Sequence, residues 1–295
     1  MTGPLWRAGR FEIDLGRPRV MGIVNVTPDS FSESGGTASP KQAIARCERL
    51  VGEGADILDI GGESTRPGAA AVSVEVELAR VMPVLAAALR LGRPVSIDTR
   101  HCEVMRAALA AGVDIVNDIS ALGAPGSLEL VAAHQRCGVC LMHMRGTPET
   151  MRAEARYDDV VGEVATFLRE RIDRALAAGI ARERIVVDPG IGFAKTPAHN
   201  LDLLARQEAL RALGVPLMVG WSRKSTLARL AGVAAAAPER SAEERSRVAA
   251  ASVVAAVLAV ERGARVLRVH DVAETLAGLA VWQAAAADAD NRNDP

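Results

Sequence analysis

The sequence predicts an α/β fold, a (β/α)8 or TIM barrel, and three observations carry that expectation. Short apolar runs alternate with longer helical patterns from end to end, eight times over. Each run is almost wholly apolar rather than alternating, as in a parallel strand buried on both faces. Nearly every run stops at a polar or charged residue, which is how such barrels deliver chemistry to the C-terminal mouth. One such residue is often only a helix cap. A full ring of them points to an active site.

The expected strands are 20–25, 57–60, 95–98, 115–118, 139–142, 185–188, 217–220 and 266–269. The expected helices are 41–53, 74–91, 102–111, 127–135, 158–178, 200–213, 222–231 with 247–262, and 272–284. Glycine pairs such as Gly54-Ala55 and Gly112-Val113 recur just before strands, where the αL turn that ends a helix needs them. Residues 11–18 suggest a short N-terminal β-hairpin closing the bottom, built from 11–15 and the Gly16-Arg-Pro18 turn. No linker divides the 295 residues, so one domain is expected, with an ordered core over about 11–284 and a frayed tail at 285–295.

Composition narrows the function. Hydrophobic residues make up 49% and aromatics only 3%, so the core is aliphatic. A formal net charge of -1 argues against nucleic-acid or anionic-membrane partners. No apolar run reaches transmembrane length and no signal core is present, so a cytoplasmic location is expected. Cys137-Gly-Val-Cys140 has CxxC spacing, but no second pair completes a zinc site. Cys140 lies in an apolar run, where a thiol acts as a small hydrophobe.

The strand ends carry Asn25, Asp59 with Glu63, Asp98, Asn117 with Asp118, His143, Asp188, Ser222 with Lys224, and Arg268 with His270 and Asp271. Asp98, Asn117 and Asp188 suit the donor and acceptor edge of a flat heterocycle. Arg66, Lys224, Arg268 and His270 suit a phosphate or carboxylate. Arg268 and His270 are two apart and share one face of their strand. Two loops, 26–39 and 61–73, are rich in Gly, Ser, Thr and Pro and suit a closing lid. His101, His134 and His199 read as structural or capping groups, and His143 stays ambiguous. The 188–193 segment lacks the third glycine of a dinucleotide fingerprint, and no HExxH or comparable metal cluster exists. Any metal is then Mg2+, held partly by substrate phosphate.

The motifs are recognisable. Met21-Gly-Ile-Val-Asn-Val-Thr-Pro-Asp-Ser-Phe-Ser32, Asp59-Ile-Gly-Gly-Glu-Ser-Thr-Arg-Pro-Gly68, Ser96-Ile-Asp-Thr99, Asn117-Asp-Ile119, Cys140-Leu-Met-His-Met144, Asp188-Pro-Gly-Ile-Gly-Phe193, Gly220-Trp-Ser-Arg-Lys-Ser225 and Arg268-Val-His-Asp-Val272 follow in one collinear series. They resemble the dihydropteroate synthase family of pterin-binding barrels. The resemblance implies condensation of 6-hydroxymethyl-7,8-dihydropterin diphosphate with p-aminobenzoate to 7,8-dihydropteroate and diphosphate. It implies a Mg2+ ligated by Asn25, and a pterin edge held by Asp98, Asn117 and Asp188 with Lys224 at its carbonyl. It implies a diphosphate bound by Arg268 and His270 with Thr65 and Arg66. It puts p-aminobenzoate among Pro67, Phe193, Gly220, Ser222 and Lys224. Asp98, Lys224, Arg268 and His270 are the expected catalytic group, and a homodimer through the late helices is the family expectation.

The chain departs from the family pattern at Ser32-Glu-Ser-Gly-Gly36 and at Arg245-Ser-Arg-Val-Ala249. Two other readings share the barrel: a corrinoid-linked pterin methyltransferase and a non-catalytic pterin binder. A methyl donor carries no diphosphate, so Arg66, Arg268 and His270 argue against the first. A non-catalytic binder is expected to lose one of the two loops, and both are intact.

Overall fold

The structure is a computed structural model that describes residues 4–27, 40–66, 68–234 and 240–292. Eight parallel strands close a barrel: β3 (Arg19–Asn25), β4 (Ile57–Gly61), β5 (Val95–Asp98), β6 (Ile115–Asp118), β7 (Gly138–Met142), β8 (Ile185–Asp188), β9 (Leu217–Val219) and β10 (Ala264–Val269). They neighbour one another in chain order, with β10 returning to β3. Helices α1 (Pro40–Gly52), α2 (Val74–Ala88), α3 (Cys102–Ala110), α4 (Ser127–Ala133), α5 (Val160–Ala177), α6 (Pro197–Ala205), α7 (Ser225–Leu230), α8 (Ala242–Glu261) and α9 (Val272–Arg292) form the outer layer.

The pleat divides each strand between two cores. Leu58, Val116, Leu141, Val187 and Leu267 face outward and pack with the helices. Their neighbours Met21, Ile57, Ile115, Cys140, Val186, Met218 and Val266 fill the barrel interior. Two residues on from these inward apolar positions come Asp59, Asn117, Asp188 and Arg268. The period-2 geometry of a strand therefore stacks a polar layer at the mouth on an apolar floor.

The bottom is closed differently from the sequence expectation. The hairpin pairs β1 (Leu5–Ala8) with β2 (Phe11–Asp14), and its turn is Gly9-Arg10, not Gly16-Arg-Pro18. Trp6, Ala8, Ile13 and Leu15 extend the interior floor. The Trp6 indole is fully buried and donates to the Arg184 carbonyl at 3.0 Å. Gly138 admits the hairpin, because a Cβ there would sit 3.0 Å from Ala8 Cβ and 3.1 Å from the Arg7 carbonyl. Asp114, at the foot of β6, receives Arg10 Nε and Nη2 at 3.0 and 2.9 Å and Val95 N at 3.1 Å.

Several helix ends move for local reasons. The 200–213 helix divides into α6 and a 3-10 turn, Gln207–Leu213. Helix α8 starts at Ala242, five residues before the expected 247, because Ser241 and Glu244 form a capping box. Helix α9 runs on to Arg292 instead of stopping at 284. All four cysteines are free, and Cys47, Cys137 and Cys140 are buried. Burial pushes the Cys137 thiol up to about 12, consistent with the structural reading of that pair.

Replacing Trp6 by Ala empties the floor of the barrel and should cost about 3–5 kcal/mol in urea unfolding, as large buried aromatic truncations do. A loss below about 1 kcal/mol would show that the hairpin is not part of the core.

Candidate active site

The polar layer centres on one guanidinium. Arg268, on β10, donates from Nε to Asp59 Oδ2 at 2.6 Å and from Nη2 to Asp98 Oδ2 at 2.5 Å. Asp59 and Asp98 are buried on β4 and β5, so Arg268 reaches past β3 to hold both. Asn117, on β6, donates to Asp59 at 3.3 and 3.4 Å. Although burial opposes its charge, Asp59 and Asp98 raise Arg268 above its ordinary value, so the guanidinium stays charged. One cation between two carboxylates leaves the group one charge negative. Burial, reinforced by Asp59 against the pull of Arg268, lifts Asp98 to about 7.

Asp188 ends β8, and its carboxylate accepts the Gly190 N–H at 2.7 Å. Burial raises its carboxyl above the usual range. Phe193 follows on the same loop, and Lys224 Nζ lies 4.3 Å from its ring centroid, a cation–π distance. Burial, with Arg268 nearby, lowers the Lys224 ammonium to about 8. Gly220 follows β9 and brings the chain close to Arg268, since a Cβ there would lie 3.9 Å from Arg268 Cβ.

His270 and Ser222 close the corner. The Ser222 hydroxyl accepts the His270 N–H at 3.1 Å and lies 3.0 Å from Nδ1. The hydroxyl therefore meets both the backbone and the ring of His270 and fixes the ring's orientation. Burial, together with Arg223, Arg268, Arg46 and Lys224, holds His270 well below its ordinary value. His270 is thus neutral here. Around it, Arg46 Nη2 donates to the His270 carbonyl, and Arg223 is paired with Asp271. Arg223 has φ 59°, and its N–H is received by Ser252 Oγ at 3.0 Å.

The other expected residues are less assembled. Asn25 ends β3 half-buried, paired in register with Gly61, which in turn pairs with Asp98. Thr65 is half-buried and Arg66 exposed; among the described residues no side-chain hydrogen bond joins either to the Arg268 group. Their loop is rooted by Glu63, which takes Arg100 Nε and Nη2 at 2.9 and 3.0 Å. Pro67 and residues 28–39, which include most of the expected first lid, lie outside the described residues. Asp118 serves its own turn, accepting Ser120 N and Leu122 N at 2.7 Å each. His101 pairs with Glu77 at 2.6 Å, and His199 completes the capping box of α6, both as expected of structural histidines.

Two participants were not singled out by the sequence. Asp59 ranked only as one strand-end acid among many, although its place two residues after inward Ile57 marked it for the mouth. Lys195 lies beyond the 188–193 motif, yet its ammonium reaches His143 Nδ1 at 2.9 Å.

Comparison with known proteins agrees with this geometry. A family model described as pterin binding enzyme matches residues 21–270. Barrel and mouth together define the class, a pterin-binding (β/α)8 enzyme. Dihydropteroate synthase of Neisseria meningitidis serogroup B is 51% identical over 289 residues, 96% of this chain and 98% of that protein. The solved Xanthomonas albilineans dihydropteroate synthase with 4-aminobenzoic acid superposes with TM-score 0.88 at 49% identity, covering 97% of this chain and 99% of that one. The Burkholderia cenocepacia dihydropteroate synthase complexed with 7,8-dihydropteroate gives 0.86 at 46%, covering 99% of each. The chain belongs to the dihydropteroate synthase family.

Asp98 gives the pH prediction. Its folded value lies above the unfolded value near 3.8, so protonation favours the fold. Its contribution is complete below that unfolded value and is lost as pH rises through about 7. Urea unfolding of the unliganded protein between about pH 4 and 8 should therefore show a shallower decline for Asp98→Asn than for wild type. Parallel profiles would mean that Asp98 titrates in its ordinary range.

Proposed function

We propose that the Arg268-centred mouth carries out the synthase reaction with the roles that follow. The amine of p-aminobenzoate attacks the pterin methylene, the C–O bond to diphosphate breaks, and the amine loses one proton. The observation that carries this reading is the ring of Asp59, Asp98, Asn117, Asp188, Lys224 and Arg268, closed by strands that order the motifs around one opening.

Asp188 and Asn117 present the acceptor and amide that a pterin edge needs, and Lys224 supplies a cation for its carbonyl. Asp98 places a fixed carboxylate in the same layer, where developing positive charge at the methylene would be stabilised. Its shared hold on Arg268 gives that role a condition. Arg268 favours the ionised form of Asp98, so it must keep that bond while it turns its remaining donors toward the departing diphosphate. His270, held by Ser222, turns its ring toward the same anion. Phe193, Pro67, Ser222 and Gly220 suit an aromatic acid, with Lys224 near its ring. Thr65 and Arg66 join only if their loop closes over the diphosphate, and a closed mouth would keep water from the cation.

Among the described residues no group of three His, Cys, Asp or Glu side chains can hold a metal ion. Asn25 offers a single amide oxygen at the mouth, which fits a Mg2+ that takes its other ligands from diphosphate and water. Such an ion would neutralise the leaving group. The buried, free thiols fit a reducing cytoplasm, and among the described residues no helix is long and apolar enough to cross a membrane. Leu230, Val254 and Val281, exposed at 64%, 59% and 73% on α7, α8 and α9, suit a homodimer contact.

With both substrates and Mg2+, purified protein should release dihydropteroate and diphosphate. Asp188→Ala should weaken binding of the dihydropterin roughly 10–100-fold, the cost of a lost charge-assisted bond. Arg268→Ala should lower kcat/KM roughly 100–1,000-fold, chiefly through diphosphate. Equal loss of free pterin and free diphosphate binding in both variants would contradict this division.

A further inference from the structure

We propose that Lys195 is a positioning residue for the Asp188 carboxylate: its ammonium clamps His143 to the Phe193 carbonyl and so fixes the loop that presents Asp188. The inference deepens the site reading above and rests on Asp188 meeting the pterin edge.

The geometry is a closed ring of short bonds. Lys195 Nζ lies 2.9 Å from His143 Nδ1 and donates to the Phe193 carbonyl at 2.9 Å. His143 N donates to the Asp188 carbonyl at 2.9 Å. The Asp188 carboxylate accepts Gly190 N at 2.7 Å, and Phe193 N donates to the Gly190 carbonyl at 3.0 Å. Every step from β7 to the 188–193 loop and back passes through a hydrogen bond. Among the described residues, the Lys195 ammonium joins the two ends by a side chain.

The backbone is wound tightly to achieve this. Ala194, directly before Lys195, has φ 49°, a left-handed conformation that costs an alanine about 1–2 kcal/mol. Gly190 has φ 69°, and a Cβ there would lie 1.9 Å from the His143 carbonyl. Strain of this kind persists only where the surroundings hold it. The two Lys195 bonds contribute to that hold, beside Asn200 Oδ1, which accepts the Gly192 N–H at 2.9 Å.

The charges agree. Burial, with Lys195 and Arg145 nearby, pushes His143 down to about 2, so its ring is neutral and accepts at Nδ1. The charged groups facing Lys195 are Asp188 from β8, Lys224 from the loop after β9, and Arg145 beyond β7. The Tyr157 ring lies 5.9 Å away. Asp188 is the one anion in that set, and Lys195 is one of three cations favouring its ionised form, with Lys224 and Arg268. Burial lowers Lys195 to about 7, so the clamp weakens near neutral pH.

The test is calorimetric binding of 6-hydroxymethyl-7,8-dihydropterin diphosphate with Mg2+, from about pH 6 to 8.5, on wild type, Lys195→Met, Lys195→Arg and Asp188→Asn. Wild-type affinity should fall about fivefold more across that range than the affinity of Lys195→Arg, whose guanidinium does not titrate. Lys195→Met should bind about tenfold more weakly at pH 6, with little further loss, and kcat should change less than KM. If Lys195→Met fails to fold, Lys195→Arg carries the test alone through its pH profile. A Lys195→Arg profile parallel to wild type, or wild-type affinity in folded Lys195→Met, would overturn the clamp. Unchanged binding in Asp188→Asn would overturn the pterin-edge reading instead.

Discussion

Arg268 lies between two buried carboxylates, and the mouth of the barrel is organised around that sharing. From β10 it reaches past β3 to Asp59 on β4 and Asp98 on β5, and Asn117 on β6 joins through Asp59. Four strands are tied by side chains across the opening. A lone guanidinium or carboxylate at this depth would be costly, so each makes the other tolerable. The imbalance also matters. With one cation and two anions, Asp98 sits near 7 instead of in the ordinary carboxylate range.

Below this group the barrel is insulated. The floor of Met21, Ile57, Ile115, Cys140, Val186, Met218 and Val266 is apolar apart from the Cys140 thiol. The polar layer is therefore obliged to satisfy itself sideways and upward. That constraint explains why His270 is neutral beside four cations and bonded to Ser222, and why Lys224 lies against the Phe193 ring.

Much of this was legible in the sequence, for a physical reason. A parallel strand buried on both faces must be apolar until it leaves the sheet, so the first polar residue after each run marks the mouth. Asn117 and Asp188 follow that rule, whereas buried Ser96 precedes Asp98 in β5 and Arg268 lies within β10 itself. The N-terminal hairpin was legible, but its turn and first strand were misplaced, because the pairing of 5–8 with 11–14 buries Trp6 against a distant acceptor, a tertiary fact. Lys195 escaped notice because exposed lysine is the norm, and only the folded loop reveals that its ammonium has two buried partners. The neutrality of His270 was equally invisible, since it depends on cations brought from α1, the loop after β9, and β10 itself.

The central claim, that Arg268 and Asp59 are tolerated at this depth only together, is open to a double-mutant cycle in urea unfolding. Arg268→Met alone leaves Asp59 and Asp98 uncompensated and should be strongly destabilising. Adding Asp59→Asn should recover about 2 kcal/mol or more, making the double variant more stable than Arg268→Met by itself. Additive losses, agreeing within about 0.5 kcal/mol, would show that the two groups do not depend on each other and would contradict the account.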